Sequence, residues 1–252
     1  MLTQLLIICP LVFLAGFVDS IAGGGGIISL PAYLLAGLPA HTALATNKVS
    51  STIGTTASTL RYIRSGYLKG YGRPALLAAG FAIIGSSIGS NLTMLIPDAV
   101  ITKFMLLILP IVAFFVLRNK HLGDDARTDR LPRRTVLLIA CAAALLIGCY
   151  DGLYGPGTGT FLLLILTGAA HMGMHEASAF TKVINLTSNI AALTVFVLHG
   201  APAYALGLPA ALCCLLGHYI GSGLVVKDGT RIVRPIVILV LAALFIKIAL
   251  GL

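Results

Sequence analysis

Two lysines stand where lysine is least expected. Lys48 and Lys182 each lie near the start of a long segment that carries no other charge for many residues. Their neighbours are polar: Thr46, Asn47, Ser50, Ser51 and Thr52 around the first, and Thr181, Asn185, Thr187, Ser188 and Asn189 around the second. At the centre of a bilayer an ammonium group costs about 2.5–3.5 kcal/mol on insertion scales, and more on other estimates. Such a lysine either snorkels to the interface or lines a wet interior where it holds an anion. The polar neighbours favour the interior, because a lipid-facing helix would not carry them. Two acids match the lysines. Asp19 and Asp151 each lie just before a glycine-rich break, Gly23-Gly24-Gly25-Gly26 and Gly155-Pro156-Gly157-Thr158-Gly159. A break ahead of a helix leaves unpaired N–H groups at a positive helix end, an arrangement suited to anions; tight packing or a re-entrant turn is the structural alternative. The expected binding residues are therefore Asn47, Lys48, Ser51, Gly24, Gly25 and Gly26 from one side, and Thr181, Lys182, Asn185, Gly157, Thr158 and Gly159 from the other. Asp19 and Asp151 are expected to pair with a lysine or a helix end, with proton coupling as their second role. His41, His175 and Glu176, near loop ends, suit helix capping equally well.

These residues come in pairs because the sequence is duplicated. At an offset of 132, Gly16-Phe17-Val18-Asp19 meets Gly148-Cys149-Tyr150-Asp151, and Gly23 and Gly25 meet Gly155 and Gly157. At 134, the stretch His41–Val49 meets His175–Val183, aligning Lys48 with Lys182, and Gly66 meets Gly200. Back at 132, Gly85-Ser86-Ser87-Ile88-Gly89-Ser90 meets Gly217-His218-Tyr219-Ile220-Gly221-Ser222. Both copies of this last motif hold a GxxxG pair, which lets helices approach closely.

The elements that must position the pairs are apolar helices. Of 252 residues, 58% are hydrophobic and 10% charged, with a mean hydropathy of +1.01. That excludes an ordinary soluble domain, a disordered chain and a disulfide scaffold. Continuous apolar runs such as Pro74–Ile84 also exclude a barrel, whose strands alternate. Ten segments can be drawn: Leu2–Val18, Ile27–Leu38, Ala43–Ile63, Pro74–Leu95, Ala99–Leu117, Thr135–Tyr150, Thr160–Ala170, Ala177–Leu198, Ala203–Val226 and Ile232–Leu250. Two of them, Ile27–Leu38 and Thr160–Ala170, are too short to span alone, and each follows a glycine break. Leu2–Val18 has no basic lead and reads as part of the mature chain. The five cysteines all lie in apolar runs without a CxxC pair and read as small hydrophobes.

The net charge of +9 follows the loops. Arg61–Arg73 holds four basic residues, Arg118–Arg134 six, and Lys227, Arg231 and Arg234 mark a third basic stretch. Basic loops stay cytoplasmic, and all three fall on one side if each short segment makes a hairpin with its predecessor. Five segments is an odd number, so the second half is inverted. The expected architecture is an all-α, polytopic membrane bundle of about ten segments in two inverted five-segment repeats. The first repeat covers 1–118, a cytoplasmic linker 119–134, and the second repeat 135–252, with both termini on the non-cytoplasmic side.

Catalytic alternatives find little support. Tyr150-Asp151 with Asp19 is reminiscent of two-aspartate intramembrane proteases, but their GxGD half is missing, as is a GxSG serine. The stretch Asp19-Ser20-Ile21-Ala22-Gly23-Gly24-Gly25-Gly26, then Leu30-Pro31, then His41–Lys48, resembles the TauE/SafE family of sulfite and organosulfonate exporters, and the copy around Gly155–Gly159 and Lys182 repeats the pattern. The resemblance covers nearly the whole chain and implies an inner-membrane carrier for sulfite, sulfoacetate or related sulfonates and carboxylates. Pro156 and Thr181 depart from the first copy, so the two half-sites are not expected to be equivalent. The expectation is a secondary transporter working by alternating access in the export direction, not an enzyme. An anion channel is the alternative, and an intramembrane enzyme using Asp19 and Asp151 a distant third. Its partners are a small anion, the lipid bilayer and, as an option, a second copy of the chain. Nucleic acid, metal and cofactor are not expected.

Overall fold

The computed structural model describes residues 1–103 and 131–228. They form eight helices of ten or more residues: α1 (Leu2–Ala22), α2 (Gly26–Leu35), α3 (Ala40–Arg64), α4 (Gly72–Leu95), α5 (Arg133–Leu153), α6 (Thr158–Gly168), α7 (Met174–Leu198) and α8 (Tyr204–Asp228). Among the described residues there is no strand. The segment Ile232–Leu250 and most of both Ala99–Leu117 and the linker 119–134 lie outside the described residues.

Several boundaries differ from the hydropathy reading, and for one reason. Apolar runs stop at polar residues, whereas a buried helix continues until its backbone can be satisfied some other way. The first segment runs past Val18 to Ala22, so Asp19 sits inside the last turn of α1. Asp151 likewise lies within α5, which reaches Leu153. The lysine helices begin earlier than drawn, at Ala40 and Met174, behind Pro39 and Gly173. Lys48 and Lys182 are each the ninth residue of a 25-residue helix, about 12 Å from its start at 1.5 Å per residue. That depth is more than two turns, against five residues from the segment starts drawn at Ala43 and Ala177.

The short helices α2 and α6 have 10 and 11 residues, about half the length needed to cross a hydrocarbon core of ~30 Å. Five others, α1, α4, α5, α7 and α8, are long and apolar enough to cross one. α3 equals them in length but is too polar by composition, because its buried face carries Thr46, Asn47, Lys48, Ser50, Thr55, Ser58 and Thr59. Leucines and isoleucines instead point outward along α4 and α8, among them Leu76, Ile84, Leu212 and Leu216. The chain is a helical, multi-pass membrane protein.

Contacts along the helices fix their directions. Lys48 of α3 reaches Asn189 of α7, while Thr59, further along α3, reaches the Lys182 carbonyl, earlier on α7. These two helices are therefore antiparallel. α8 runs with α3: its Gly207 faces Thr46 and Val49, and its Gly223 faces Arg61. α4 runs with α5, Gly85 meeting Leu145 and Gly89 meeting Cys149. The ends of α3 and α8 and the starts of α4 and α5 thus share one end of the bundle. That end carries Arg61, Arg64, Arg73, Arg133 and Arg134.

The packing is also duplicated. α4 lies on α5 and α7, while α8 lies on α1 and α3, and α3 meets α7 in the middle. Both GxxxG pairs sit at these contacts. A Cβ at Gly85 or Gly89 would run into the α5 carbonyls of Leu145 or Cys149; one at Gly217 or Gly221 would run into those of Phe13 or Phe17 on α1. Small residues there replace side-chain bulk with close backbone packing.

Candidate functional site

The two glycine breaks touch at the centre of the bundle. A Cβ on Gly23 would stand 2.5 Å from Gly159 Cα and 2.6 Å from the Thr160 nitrogen. Thr160 seals the contact by donating its hydroxyl to the Gly23 carbonyl at 2.8 Å. Gly23, Gly24, Gly155 and Gly157 all have positive φ, from +70° to +107°, a region that side chains disfavour. Glycine is required here twice over, by conformation and by space.

The charged residues pair across the halves. Lys48 Nζ donates to Asp151 Oδ2 at 2.7 Å and to Asn189 Oδ1 at 2.8 Å. Lys182 Nζ donates to Asp19 Oδ2 at 3.0 Å, and also to the Asp19 carbonyl. Each lysine is therefore neutralised by the acid of the other half. Neither reaches the interface, since both are 3% exposed or less. A buried ion pair survives only when further hydrogen bonds satisfy it, and both carboxylates have them. Asp151 accepts the hydroxyls of Thr158 at 2.9 Å and Ser188 at 2.7 Å. Asp19 accepts the backbone N–H groups of Gly24 and Gly25 at 3.0 and 3.1 Å. The positive helix end where an anion was expected is thus filled by the chain's own carboxylate.

Between the pairs lies a polar cavity of about 20 Å³, room for roughly one water molecule. Of the residues singled out from sequence, Asn47, Lys48, Ser51, Asn185, Gly24, Gly26, Thr158, Gly159 and both aspartates line it, joined by Gly155 and Asn189. Lys182, Thr181, Gly25 and Gly157 do not. Gly157 is the left-handed cap of α6, and Gly25 lies on a second cavity of about 10 Å³ with Asp19, Ser51, Cys214 and His218. Asn47 Oδ1 and Thr181 Oγ1 are buried with no hydrogen-bond partner among the described residues, and the offset of 134 makes them equivalent positions. Buried polar atoms are rarely left unpaired; Thr55 Oγ1 and Ser178 Oγ are likewise without a partner among the described residues. As an amide, Asn47 can present either its oxygen or its NH₂.

Gly155, Ser188, Asn189 and His218 are not among the binding residues the sequence points to; there Gly155 stands only in the glycine break, and Ser188 and Asn189 only as polar neighbours of Lys182. His218 is buried, with Nε2 3.6 Å from Asp19 Oδ2 and Nδ1 3.0 Å from Ser58 Oγ. The duplication held the signal, because it sets His218 opposite Ser86.

The sequence profile of the family described as Sulfite exporter TauE/SafE matches residues 8–248. The chain belongs to the TauE/SafE family. It is 36% identical over 238 residues to a probable membrane transporter protein, ORF9, of Sinorhizobium sp, covering 94% of this chain and 88% of that one. To the probable membrane transporter protein YfcA of Escherichia coli K12 it is 33% identical over 93% of this chain and 86% of the relative. YdhB of Bacillus subtilis, also named a probable membrane transporter protein, is 23% identical over 86% and 87%. No solved structure matches. As a TauE/SafE member the chain is a membrane transporter rather than an enzyme, and Asp19 and Asp151, held on lysines of opposite halves, are not a catalytic dyad.

Proposed function

We propose that this TauE/SafE protein is a secondary transporter that exports a small sulfur-containing or related organic anion, such as sulfite, sulfoacetate or another sulfonate or carboxylate, across the bacterial inner membrane by alternating access. The observation that carries the reading is the pair of buried lysines, each held by a carboxylate of the opposite half beside a polar cavity. A carboxylate is itself a small anion. Asp19 and Asp151 occupy the lysine and helix-end positions that a sulfonate or sulfite would take. Substrate enters by displacing a carboxylate, with Asn47, Ser51, Thr158 and Asn185 supplying further hydrogen bonds. A cavity with room for one water is too small for a sulfonate, so loading requires the halves to part. The meeting of two broken helices gives that motion a place.

The antiparallel course of α3 and α7 and the doubled packing support two inverted repeats, 1–118 and 135–252, joined by a linker at 119–134. With the basic end of the bundle cytoplasmic, both termini face the other side. Single cysteines at Lys69 and Lys227, in a background lacking the native ones, then label only from the cytoplasm; labelling from opposite faces refutes the inversion. For function, purified protein in liposomes is tested for uptake and counterflow of sulfite, sulfoacetate, taurine and plain carboxylates. Saturable counterflow that disappears in Lys48→Ala and Lys182→Ala is expected. Currents that never saturate would favour a channel.

A further inference from the structure

The two carboxylates of the site are equivalent by duplication but not in their surroundings. In the second half Ser188 donates to Asp151, and Ser86 in turn donates to the Ser188 carbonyl at 2.6 Å. Around Asp19 the equivalent positions, Gly54 for Ser188 and His218 for Ser86, carry no such hydroxyls. Gly54 has no side chain, and the space it leaves holds the imidazole: a Cβ on Gly54 would lie 2.5 Å from His218 Cδ2. A non-titrating hydroxyl beside one aspartate is thus replaced by a titratable ring beside the other. Asp19 is also the wetter acid, its side chain 15% exposed against 3% for Asp151. The second cavity opens directly onto it and His218.

We infer that Asp19 and His218 form a proton-binding site, and that this transporter moves a proton together with its anion through that site alone. Charge balance gives the sign. Lys182 is neutralised by Asp19, and a substrate anion can take that lysine only if the carboxylate gives it up. In a buried site a freed carboxylate is not tolerated as a charge. One proton, delivered through the small cavity and held between Asp19 Oδ2 and His218 Nε2, neutralises it; Lys182 keeps its positive charge and passes to the anion. Releasing the anion returns Asp19 to Lys182 and expels the proton. Export is then net export of acid, driven by the outward anion gradient. The other titratable or charged groups facing this pair are Lys182 from α7, Tyr62, Arg61 and, across the main cavity, Lys48 from α3, Cys214 from α8 and Tyr33 from α2. Lys182 and Lys48 are already paired with carboxylates. Arg61 lies over the Tyr219 ring and bonds its carbonyl. Tyr62 donates to the Ser20 carbonyl and Tyr33 to Ser50. Cys214 is a buried thiol. His218 is therefore the neutral base best placed to share a proton with Asp19.

The proposal rests on the anion-transport reading and separates from it experimentally. Liposomes containing the protein, filled with a pH-sensitive dye and clamped at zero membrane potential, receive external sulfoacetate, while counterflow is measured in parallel. The wild type acidifies the lumen as the anion enters. The double variant Gly54→Ser, His218→Ser copies the hydroxyls around Asp151, the serine at 54 taking part of the space of the ring and lying against Cys214 Sγ on its other side. With the ring gone Asp19 alone must hold the proton, so counterflow at neutral pH is expected to fall about tenfold and to recover as the pH is lowered, a range over which the wild type changes little. His218→Gln alone is the control for packing, and gives the same rescue by acid. Undiminished counterflow at neutral pH in both variants overturns the proposal, as does wild-type anion uptake without acidification. A loss of counterflow that acid does not rescue would make His218 a packing residue and overturn it too. Absence of wild-type counterflow with sulfoacetate, sulfite and taurine removes the transport reading itself, and the proton site falls with it.

Discussion

The two ion pairs at the centre of this transporter share a plan and differ in their ligands. Around Lys48–Asp151 the partners are side chains: Thr158, Ser188 and Asn189. The equivalent positions in the other half are Gly26, Gly54 and Thr55, none of which supplies a matching bond. There the backbone takes over, through the N–H groups of Gly24 and Gly25 and the carbonyl of Asp19, and His218 fills the remaining space. The duplicated charges have been retained while their neighbours have diverged. One carboxylate is sealed and fully satisfied; the other is held more loosely, partly wet, and next to a base. A symmetric site would treat both anion positions alike. Under the proposed mechanism this one divides the work, and the difference can be attacked from either side.

The largest effect is expected from removing a lysine. Lys48→Ala or Lys182→Ala leaves a buried carboxylate unpaired, a loss of about 3–5 kcal/mol, and abolishes counterflow. Removing both partners, as in Lys48→Ala with Asp151→Ala, restores folding yield, measured by size-exclusion recovery, without restoring transport. Next come the glycines where the halves touch. Gly23→Ala needs a positive φ, a strain on the order of 1–3 kcal/mol, and also clashes with Gly159, so it is expected to prevent assembly. Gly80→Ala or Gly168→Ala, facing open space, leaves thermal stability unchanged. The acids should then separate the two sites. Asp19→Asn keeps a hydrogen-bonding group on Gly24 and Gly25 but uncouples counterflow from protons, whereas Asp151→Asn reduces anion affinity and leaves the remaining flux proton-coupled. The smallest effect belongs to Ser188→Ala, which removes one of three donors to Asp151, worth about 1–2 kcal/mol. A larger defect in proton coupling than in stability there would contradict the division of labour.

How far the sequence exposed this depended on charge. Lys48, Lys182, Asp19 and Asp151 stand out in apolar sequence, and the offsets of 132 and 134 pair them by position. Those offsets give equivalence, not contact: nothing in them says that Lys48 meets Asp151, since partnership comes from α3 and α7 crossing antiparallel. The glycine breaks were legible as breaks. That Asp19 caps its own break was not, because the end of α1 was drawn at the last apolar residue, Val18, rather than a turn later. His218 was hidden for a related reason. It lies in an apolar stretch read as a packing motif, and its meaning appears only when Gly54, on another helix, is seen to make room for it. Polar α3 shows the reverse case, where low apolarity was the signal of an interior helix.

The central claim is that the two cross-paired lysines hold the transported anion. Binding to the purified protein, titrated by calorimetry with sulfite, thiosulfate, sulfoacetate, taurine and plain carboxylates, tests it without any assumption about direction or energy. Saturable binding of one or more of these anions, weaker for zwitterionic taurine and lost in both Lys48→Ala and Lys182→Ala, is the predicted result. Undiminished binding in the two variants, with the proteins correctly folded, would contradict it.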